Sequence, residues 1–296
     1  NMHLLCAHIA VHIETAQDVV LPKTGERGTR LAWDTLVLDE AHELNDVSRE
    51  FFGCDLTLRA FERVVRWLRR DEHDDAHEAA AVALERAAGT FFTDLDTRVP
   101  KAPENREADK VRVREGLDTE ALVAALRDAR DRAASVVEAV KKLKEDGELE
   151  LVDRARLRRA ESVVRRVERA CSWLDAAEYP AEHPGLVLWL EARTVKARRS
   201  GRPARVVALQ GRHIDPGPIL GKSLWGRART VVATSATLTT GSGADGWRWI
   251  LRQMGAPEGA RTVVVPSPFD FAAQARLVLP AGMPDPTGHT REAFDV

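Results

Sequence analysis

A stretch of more than one hundred residues, from about Leu56 to Glu178, divides this chain into unlike parts. Alanine, arginine, glutamate, leucine and aspartate dominate it, glycine and proline are sparse, and its apolar residues recur at helical spacing. Pro100, Pro103 and Gly116 interrupt it, which predicts a first helical group at about 56–89 and a second at about 117–177. We therefore expect long, charged helices that pack in pairs.

The helix predicted around residue 160 has two faces. Its apolar face contains Leu157, Val164, Cys171 and Leu174. Its basic face contains Arg154, Arg158, Arg165 and Arg169. The sequence leaves two interpretations open for these arginines, which are phosphate binding and pairing with acidic neighbours.

Shorter apolar runs flank the helical stretch. A helix is predicted at His3–Thr15, and the run Thr35–Leu38 is typical of a buried parallel strand. After Pro184 the pattern favours strands, at Leu186–Leu190, Arg205–Leu209, Thr230–Ala233, Thr262–Val265 and Ala275–Leu279. A basic segment joins the first two of these runs, which predicts a hairpin with a long tip. These patterns predict an α/β fold with a large helical insertion.

Composition narrows the class of protein. The chain has 296 residues, 44% of them apolar, and charged residues nearly cancel to a net charge of -2, so no global basic field indicates nucleic acid. Its three cysteines have no CxxC spacing, so neither a zinc site nor an iron–sulfur cluster is predicted. No apolar run approaches the roughly 20 residues of a membrane span. We expect a soluble cytoplasmic protein.

The run Thr35–Leu38 is followed by Asp39-Glu-Ala-His42. An apolar strand that ends in acidic residues is typical of nucleoside-triphosphate motors, whose ligands bind beyond the strand ends. Asp39 and Glu40 are the predicted Mg²⁺-binding pair, Glu40 also activates the attacking water, and His42 links the nucleotide to the rest of the motor. The alternative is that this acidic pair only caps a helix.

A second apolar strand, Thr230–Ala233, is followed by Thr234-Ser-Ala-Thr-Leu238. The hydroxyls of Ser235 and Thr237 can hydrogen-bond a carboxylate or histidine of the first motif, and with Thr234 they are predicted to couple hydrolysis to movement. The alternative is an ordinary strand with a Ser/Thr turn.

Together, Asp39-Glu-Ala-His-Glu-Leu44, Thr234-Ser-Ala-Thr-Leu238 and Ser267-Pro-Phe-Asp-Phe271 resemble the DinG/XPD group of superfamily 2 helicases. Asn1-Met-His-Leu-Leu5 is similar to the group's element just before its acidic box. The resemblance implies a RecA-like motor domain with a parallel sheet, interrupted by a helical arch. It also implies ATP and Mg²⁺ as cofactors, and single-stranded or forked DNA, unwound 5′ to 3′, as the partner.

The chain departs from this group in three ways. It has no phosphate loop before the acidic box, no iron–sulfur cysteines and no arginine motif of a second motor domain. It begins at Asn1 rather than Met, so we expect the middle of a longer enzyme, inactive alone, whose missing remainder is a partner. The expected segments are part of motor domain 1 (1–55), the arch (56–183), the return to motor domain 1 (184–260) and the start of the second motor domain (261–296).

Gly217-Pro-Ile-Leu-Gly-Lys-Ser223 superficially resembles a phosphate loop. The pattern requires four residues between the first glycine and Gly-Lys, whereas this segment has three, with Pro216 at the position that requires glycine. Pro216 and Pro218 also lack the N–H groups that cradle phosphate. The segment is predicted to be a loop that enters a helix, and Lys222→Ala is expected to leave ATP affinity unchanged.

The remaining candidates for nucleic-acid contact are local. Cations crowd the predicted hairpin tip, where they either contact phosphates or form a solvated loop; they are Arg193, Lys196, Arg198, Arg199, Arg202 and Arg205. Six tryptophans either stack on bases or belong to the core, at Trp67, Trp173, Trp189, Trp225, Trp247 and Trp249. A second hypothesis for the whole chain is a non-catalytic nucleic-acid-binding or interaction module. Nothing in the sequence selects among repair, replication, mobile elements and CRISPR systems.

Overall fold

The computed structural model describes residues 1–15, 35–70, 74–100, 109–145, 150–196, 203–225, 228–239 and 244–278. Its helices are α1 (Met2–Thr15), α2 (Leu44–Phe52), α3 (Leu58–Leu68), α4 (Asp75–Arg98), α5 (Glu120–Glu145), α6 (Leu151–Glu178), α7 (Gly217–Leu220), α8 (Ala244–Gln253) and α9 (Phe271–Gln274). Its strands are β1 (Thr35–Leu38), β2 (Cys54–Thr57), β3 (Asp109–Arg112), β4 (Leu186–Lys196), β5 (Pro203–His213) and β6 (Thr230–Ala233). None of the helices described is long and apolar enough to cross a membrane.

Two separate hydrophobic cores hold residues 1–258 together. The larger core contains buried side chains of α3 to α6 and of the antiparallel strands, including Leu84, Leu126, Leu174 and Leu209. The smaller core contains α1, α2, α7, α8 and the end of β1. The mixed α/β class that the sequence predicts is confirmed.

The helices of the larger core each pack against the next along the chain, α3 against α4, α4 against α5 and α5 against α6, so the expected pairwise packing is extended to a continuous series. The buried face of α6 differs from the predicted one. An alanine-rich stripe is buried, at Ala160, Val163, Val167, Ala170, Leu174 and Ala177. The predicted residues Leu157, Val164 and Cys171 lie at its margin, partly buried. The small side chains of the alanine-rich stripe allow α6 to approach Ala129 and Ala133 of α5 closely. This close packing explains why the alanine-rich stripe is buried and the face with the bulkier side chains is not.

The four antiparallel strands form one sheet in the order β2-β5-β4-β3. Strands β4 and β5 form the predicted hairpin and are longer than predicted, with pairs from Leu186–His213 to Lys196–Pro203. Strand β3 was not predicted, and it pairs with β4. Leu188, Leu190 and Leu209 of the hairpin pack in the same core as α3 to α6. The predicted boundary at 183/184 therefore falls within a shared core.

Strands β1 and β6 form a two-stranded parallel sheet with Leu36 opposite Val231 and Leu38 opposite Ala233. The sequence predicts both strands at these bounds, and their parallel pairing is observed. The expectation that β1 is fully buried is wrong, because alternate side chains point away from the smaller core. Val37 is 62% exposed and Val232 is 42% exposed. One face of this sheet is therefore open in the part of the chain that the structure describes.

The chain divides into two compact units between Glu258 and Gly259, close to the predicted boundary at 260/261. The second unit is described as far as residue 278, and its one helix in that range is α9. The strands predicted at Thr262–Val265 and Ala275–Leu279 are not found in that range, because no neighbouring strand there supplies backbone hydrogen bonds. Val265 and Leu277 are more than four-fifths exposed.

His213, at the end of β5, makes folding sensitive to acid. Its ring packs edge-on against Trp173 with centroids 5.3 Å apart. Burial, and secondarily the charge of Arg169, lower the pKa of His213 below its usual 6.5. The folded chain then binds fewer protons than the unfolded chain, so this histidine should reduce stability as pH falls below about 6.5.

We expect His213→Phe to remove that part of the pH dependence, because phenylalanine keeps the aromatic contact and cannot be protonated. The measurement is the free energy of unfolding by urea at several pH values from 5 to 8. The difference in the free energy of unfolding between the variant and the parent chain should change by less than about 1.4 kcal/mol per pH unit, and it should change only below pH 6.5. Parallel curves for the two proteins would contradict the prediction.

Candidate functional site

Two sequence motifs that lie far apart in the chain meet at the carboxyl ends of β1 and β6. The backbone N–H of Thr234 donates to the carbonyl of Leu38 at 2.8 Å, and the N–H of Ala41 donates to the carbonyl of Thr234 at 2.9 Å. These two bonds continue the parallel ladder beyond both strands. They hold the turn after β6 against the turn after β1.

The side chain of Asp39 is bound to the second motif. The hydroxyl of Thr234 donates to Oδ1 of Asp39 at 2.9 Å, across 195 positions of sequence. The backbone N–H of Glu40 donates to the same oxygen at 3.0 Å. These bonds orient the carboxylate of Asp39, which is exposed beyond the end of β1.

Ser235 connects the other residues of the site. Its hydroxyl donates to Oε2 of Glu40 at 3.3 Å, and its oxygen lies 2.8 Å from Nδ1 of His42. The backbone N–H of Thr237 donates to the same oxygen at 3.2 Å. A hydroxyl has one proton, so with that proton directed at Glu40 the ring of His42 must donate from Nδ1. That nitrogen also lies 3.2 Å from Oε2 of Glu40.

The residues predicted to form the site are therefore brought together. Asp39 contacts Thr234, whereas Glu40 and His42 contact Ser235. Thr237 contacts Ser235, with the two hydroxyl oxygens 3.5 Å apart, and so reaches the first motif indirectly. The expectation that Ser235 hydrogen-bonds a carboxylate or histidine of the first motif is confirmed.

Glu40 has an unusual backbone conformation. It lies in the left-handed region with φ 51° and ψ 43°, and it is the one non-glycine residue with positive φ among those described. For a residue with a Cβ atom this conformation costs about 1–2 kcal/mol. The turn begins here, and the short 3₁₀ helix Ala41–Glu43 then leads into α2. No cap hydrogen bond comes from the Glu40 side chain, so helix capping does not explain its carboxylate.

Comparing two truncations of Glu40 measures this backbone cost. We expect Glu40→Gly to be more stable than Glu40→Ala by about 1 kcal/mol, because both remove the carboxylate and only alanine opposes a positive φ. The measurement is the free energy of unfolding by urea for both variants. Equal stabilities, or a more stable alanine variant, would show that the turn does not require this conformation.

Close backbone packing between α7 and the residues that follow α8 was not predicted from the sequence. Gly255, which ends α8 with φ 63°, lies against the backbone of Gly217 and Gly221. Trp225 donates from Nε1 to the carbonyl of Met254 at 2.6 Å. Arg49 of α2 donates to Oε1 of Gln253 at 2.6 Å. Gly217 and Gly221 stand out in the sequence because they belong to the segment that superficially resembles a phosphate loop. The sequence does not show which part of the backbone they approach.

The segment Gly217–Ser223 lies in this packing and consists of α7 followed by a π turn at Gly221–Trp225. A Cβ atom at Gly217 would collide with the carbonyl of Arg252. Its N–H donates to Oδ1 of Asp215 at 3.0 Å. Its glycines therefore serve backbone packing and its N–H groups do not face an open cradle, which agrees with the interpretation that it is not a phosphate loop.

Asp39 and Glu40 can supply only some of the ligands that a metal ion needs. Within the described ranges, no group of three or more histidine, cysteine, aspartate or glutamate side chains is placed to hold a metal ion. Mg²⁺ commonly takes one or two protein carboxylates, with waters and nucleotide phosphates as its other ligands. Asp39 and Glu40 fit that donor set. Cys6 and Cys54 are buried, which raises the pKa of each thiol to about 12.

The predicted basic hairpin tip lies mainly outside the described residues, which exclude Arg198, Arg199, Arg202 and the side chain of Lys196. Arg193 pairs with Glu191 at 3.2 Å and with Asp55 at 3.4 Å. Arg205 pairs with Asp96 at 2.7 Å. These two arginines therefore have acidic partners within the fold.

Most of the candidate stacking tryptophans are not exposed. Trp67 and Trp173 are buried in the larger core, and Trp189 lies beneath the guanidinium of Arg212 at 5.5 Å. Trp225 and Trp247 pack against the smaller core. Trp249, which is 54% exposed, is the best placed of the six to meet a base.

Comparison with known proteins adds no assignment: no family model matches the chain, and no curated protein matches it.

Proposed function

We propose that this chain forms part of an ATP-driven DNA helicase motor of the DinG/XPD type. The observation that carries the proposal is the joining of the Asp39-Glu-Ala-His42 turn to the Thr234-Ser-Ala-Thr237 turn by side-chain hydrogen bonds. An acidic turn alone has several uses. An acidic turn bonded to a hydroxyl turn on the adjacent parallel strand is the arrangement expected of a motor that couples hydrolysis to movement.

The acidic residues have distinct roles in this proposal. Asp39, held by Thr234, would hold Mg²⁺, which would supply positive charge to neutralise the nucleotide phosphates. Glu40 accepts a proton from the water that attacks the γ-phosphorus, so that an oxygen–phosphorus bond forms while the bond to the ADP oxygen breaks. Its left-handed backbone conformation positions the carboxylate beyond the strand end.

The hydrogen bonds of Ser235 supply the coupling step. While Glu40 is ionised, its carboxylate accepts from Ser235 and lies near Nδ1 of His42. Once Glu40 accepts the proton from water, its negative charge is lost and both interactions weaken. Ser235 is then released from Glu40, while the backbone bonds of Thr234 keep the two turns joined, and this local change in side-chain contacts is the proposed signal for movement of the nucleic acid.

The proposed motor domain has a RecA-like sheet of which β1 and β6 are two adjacent strands. Parallel sheets normally have both faces covered. The exposed Val37 and Val232 on one face therefore favour a larger sheet and a further covering layer. A Gly-x-x-x-x-Gly-Lys-Thr/Ser pattern does not occur in the sequence, so the motor needs a phosphate loop from another polypeptide segment.

The direct test is to read the coding DNA upstream of Asn1 and express the extended reading frame. We expect an in-frame phosphate loop there, and ATP hydrolysis that single-stranded DNA stimulates. The 296-residue chain alone should hydrolyse essentially no ATP. An extended protein that contains a phosphate loop and still neither hydrolyses ATP nor displaces a DNA strand would refute the proposal.

The second candidate is a non-catalytic nucleic-acid-binding module derived from a helicase. The lack of a phosphate-loop pattern in the sequence favours it, because a transferred phosphoryl group requires cradling as well as metal. The same upstream sequence distinguishes the two candidates. A stop codon directly before Asn1 with no phosphate loop in any partner subunit would favour the module.

A further inference from the structure

A basic groove lies between α3 and α6, on the helical part of the chain and apart from the acidic turn. Its volume is about 580 Å³. Arg63 and Arg66 of α3, with Arg70 just beyond its end, line one wall. Three arginines of α6 line the other, at Arg158, Arg159 and Arg166. Val64, Trp67 and Val163 form an apolar floor. No aspartate or glutamate is among its lining residues.

The arginines of the groove differ from several other arginines in the helical part of the chain. Arg69, Arg98, Arg130 and Arg132 each pair with a carboxylate at 3.2 Å or less. By contrast, no described carboxylate lies within 4 Å of the guanidinium groups of Arg63, Arg66, Arg158, Arg159 and Arg166. Arg66 and Arg166 donate only to neutral oxygens, the carbonyl of Glu62 and the hydroxyl of Ser162.

Concentrating like charges in this way opposes folding. Like charges three or four residues apart on one helix destabilise it by a few tenths of a kcal/mol per pair. The chain as a whole has a net charge of -2, so it has ample acidic residues with which to neutralise the groove. Binding of an anionic ligand would offset this cost.

We infer that this groove binds the phosphate backbone of a single-stranded nucleic acid. The arginines are spread along two walls and do not converge on one point, which suits a chain of phosphates better than a single small anion. The groove runs along α6 from Ala155 to Arg166, about 16 Å at the helical rise. That length gives room for a few consecutive phosphates of a single strand.

The proposed function guides the choice of nucleic acid over other polyanions, and the inference rests on it to that extent. The binding itself does not need ATP, so it is measured without nucleotide. A failure of the ATPase proposal therefore leaves the result for the groove unaffected, and a failure of the groove leaves the acidic turn unaffected.

The test is the binding of a fluorescent oligothymidylate of about 12 nucleotides to the full 296-residue chain. The groove variant carries Arg63→Gln, Arg66→Gln and Arg158→Gln. Each lost phosphate contact should reduce the salt slope of log K by about 0.7, so three should reduce it by about 2 and weaken binding roughly 100-fold at about 0.1 M salt.

A matched control variant carries Arg98→Gln, Arg130→Gln and Arg132→Gln, which make the same change in net charge at helix positions outside the groove. We expect it to bind within a few-fold of the parent. Replacing the three groove arginines with lysine should retain most of the affinity, which separates loss of charge from loss of fold. Unfolding curves should show that all three variants fold.

Three results would overturn the inference. The first is no binding of the oligothymidylate by the parent chain at about 0.05 M salt. The second is equal weakening by the groove and control variants. The third is an oligoglutamate of equal charge that binds the groove as tightly as the oligothymidylate does, which would assign the groove to an acidic protein.

Discussion

On the proposed function, Glu40→Gln should reduce DNA-stimulated ATP hydrolysis by about 10²- to 10⁴-fold in a protein extended to include a phosphate loop. Removing a positioned general base commonly has an effect of this size. Glutamine has nearly the same shape, and its amide oxygen can still accept the hydrogen bond that Ser235 donates to Oε2. Nucleotide affinity should therefore change little, because the phosphates and Asp39 are untouched.

The measurement is steady-state ATP hydrolysis with saturating single-stranded DNA, together with ATP affinity from a fluorescent analogue. Lys222→Ala provides a control, since Lys222 lies in the Gly217–Ser223 segment that resembles a phosphate loop only superficially. It should leave both quantities unchanged. Undiminished turnover by the Glu40→Gln protein would remove Glu40 from the mechanism.

Gly255→Ala should destabilise the chain by about 3 kcal/mol or more. A Cβ atom there would collide with the carbonyl of Gly217 and lie 2.6 Å from the amide nitrogen of Gly221. Forcing extra atoms into packed structure costs about 1–3 kcal/mol. The positive φ of 63° adds about 1–2 kcal/mol for any residue with a Cβ atom.

Two further glycines separate these contributions when unfolding by urea is measured. Gly217→Ala meets the carbonyl of Arg252 without a positive φ, so it should cost less than Gly255→Ala. Gly89→Ala, in the middle of α4 with open space around it, should stabilise the chain by about 0.5–1 kcal/mol. If all three substitutions changed the free energy of unfolding by the same amount, α7 would not be closely packed against the end of α8.

The local elements of the fold were largely predictable from the sequence because they depend on periodicity. The strands β1 and β6 begin and end where the apolar runs do, and the helices of the long charged stretch follow their 3.6-residue repeat. The meeting of Asp39 with Thr234 was predictable from chemistry as well. A carboxylate and a hydroxyl, each directly after an apolar strand, form a hydrogen bond once those strands are adjacent.

The features that the sequence did not predict depend on which elements come into contact. Strand β3 has only four residues, and it becomes a strand because β4 offers a free edge. Thr262–Val265 has a stronger strand pattern, but no described neighbour pairs with it. The basic groove depends on the juxtaposition of α3 and α6, which are separated by α4 and α5 in the chain. Periodicity places arginines on one face of each helix but cannot place the helices side by side.

The pairing of β2 with β5 has a consequence for how the site assembles. Cys54 lies opposite Gly211, so the helical part of the chain leaves and returns at the same place. Once that part has folded, Asp39 and Thr234 are effectively separated by about 38 residues instead of 195, from 15 positions before Cys54 and 23 after Gly211. The entropic cost of bringing them together then falls by about 1.5 kcal/mol. The helical part therefore behaves as an insertion whose two ends are held together. Its helices can change in length or in charge during evolution while the ends of β1 and β6 stay in register.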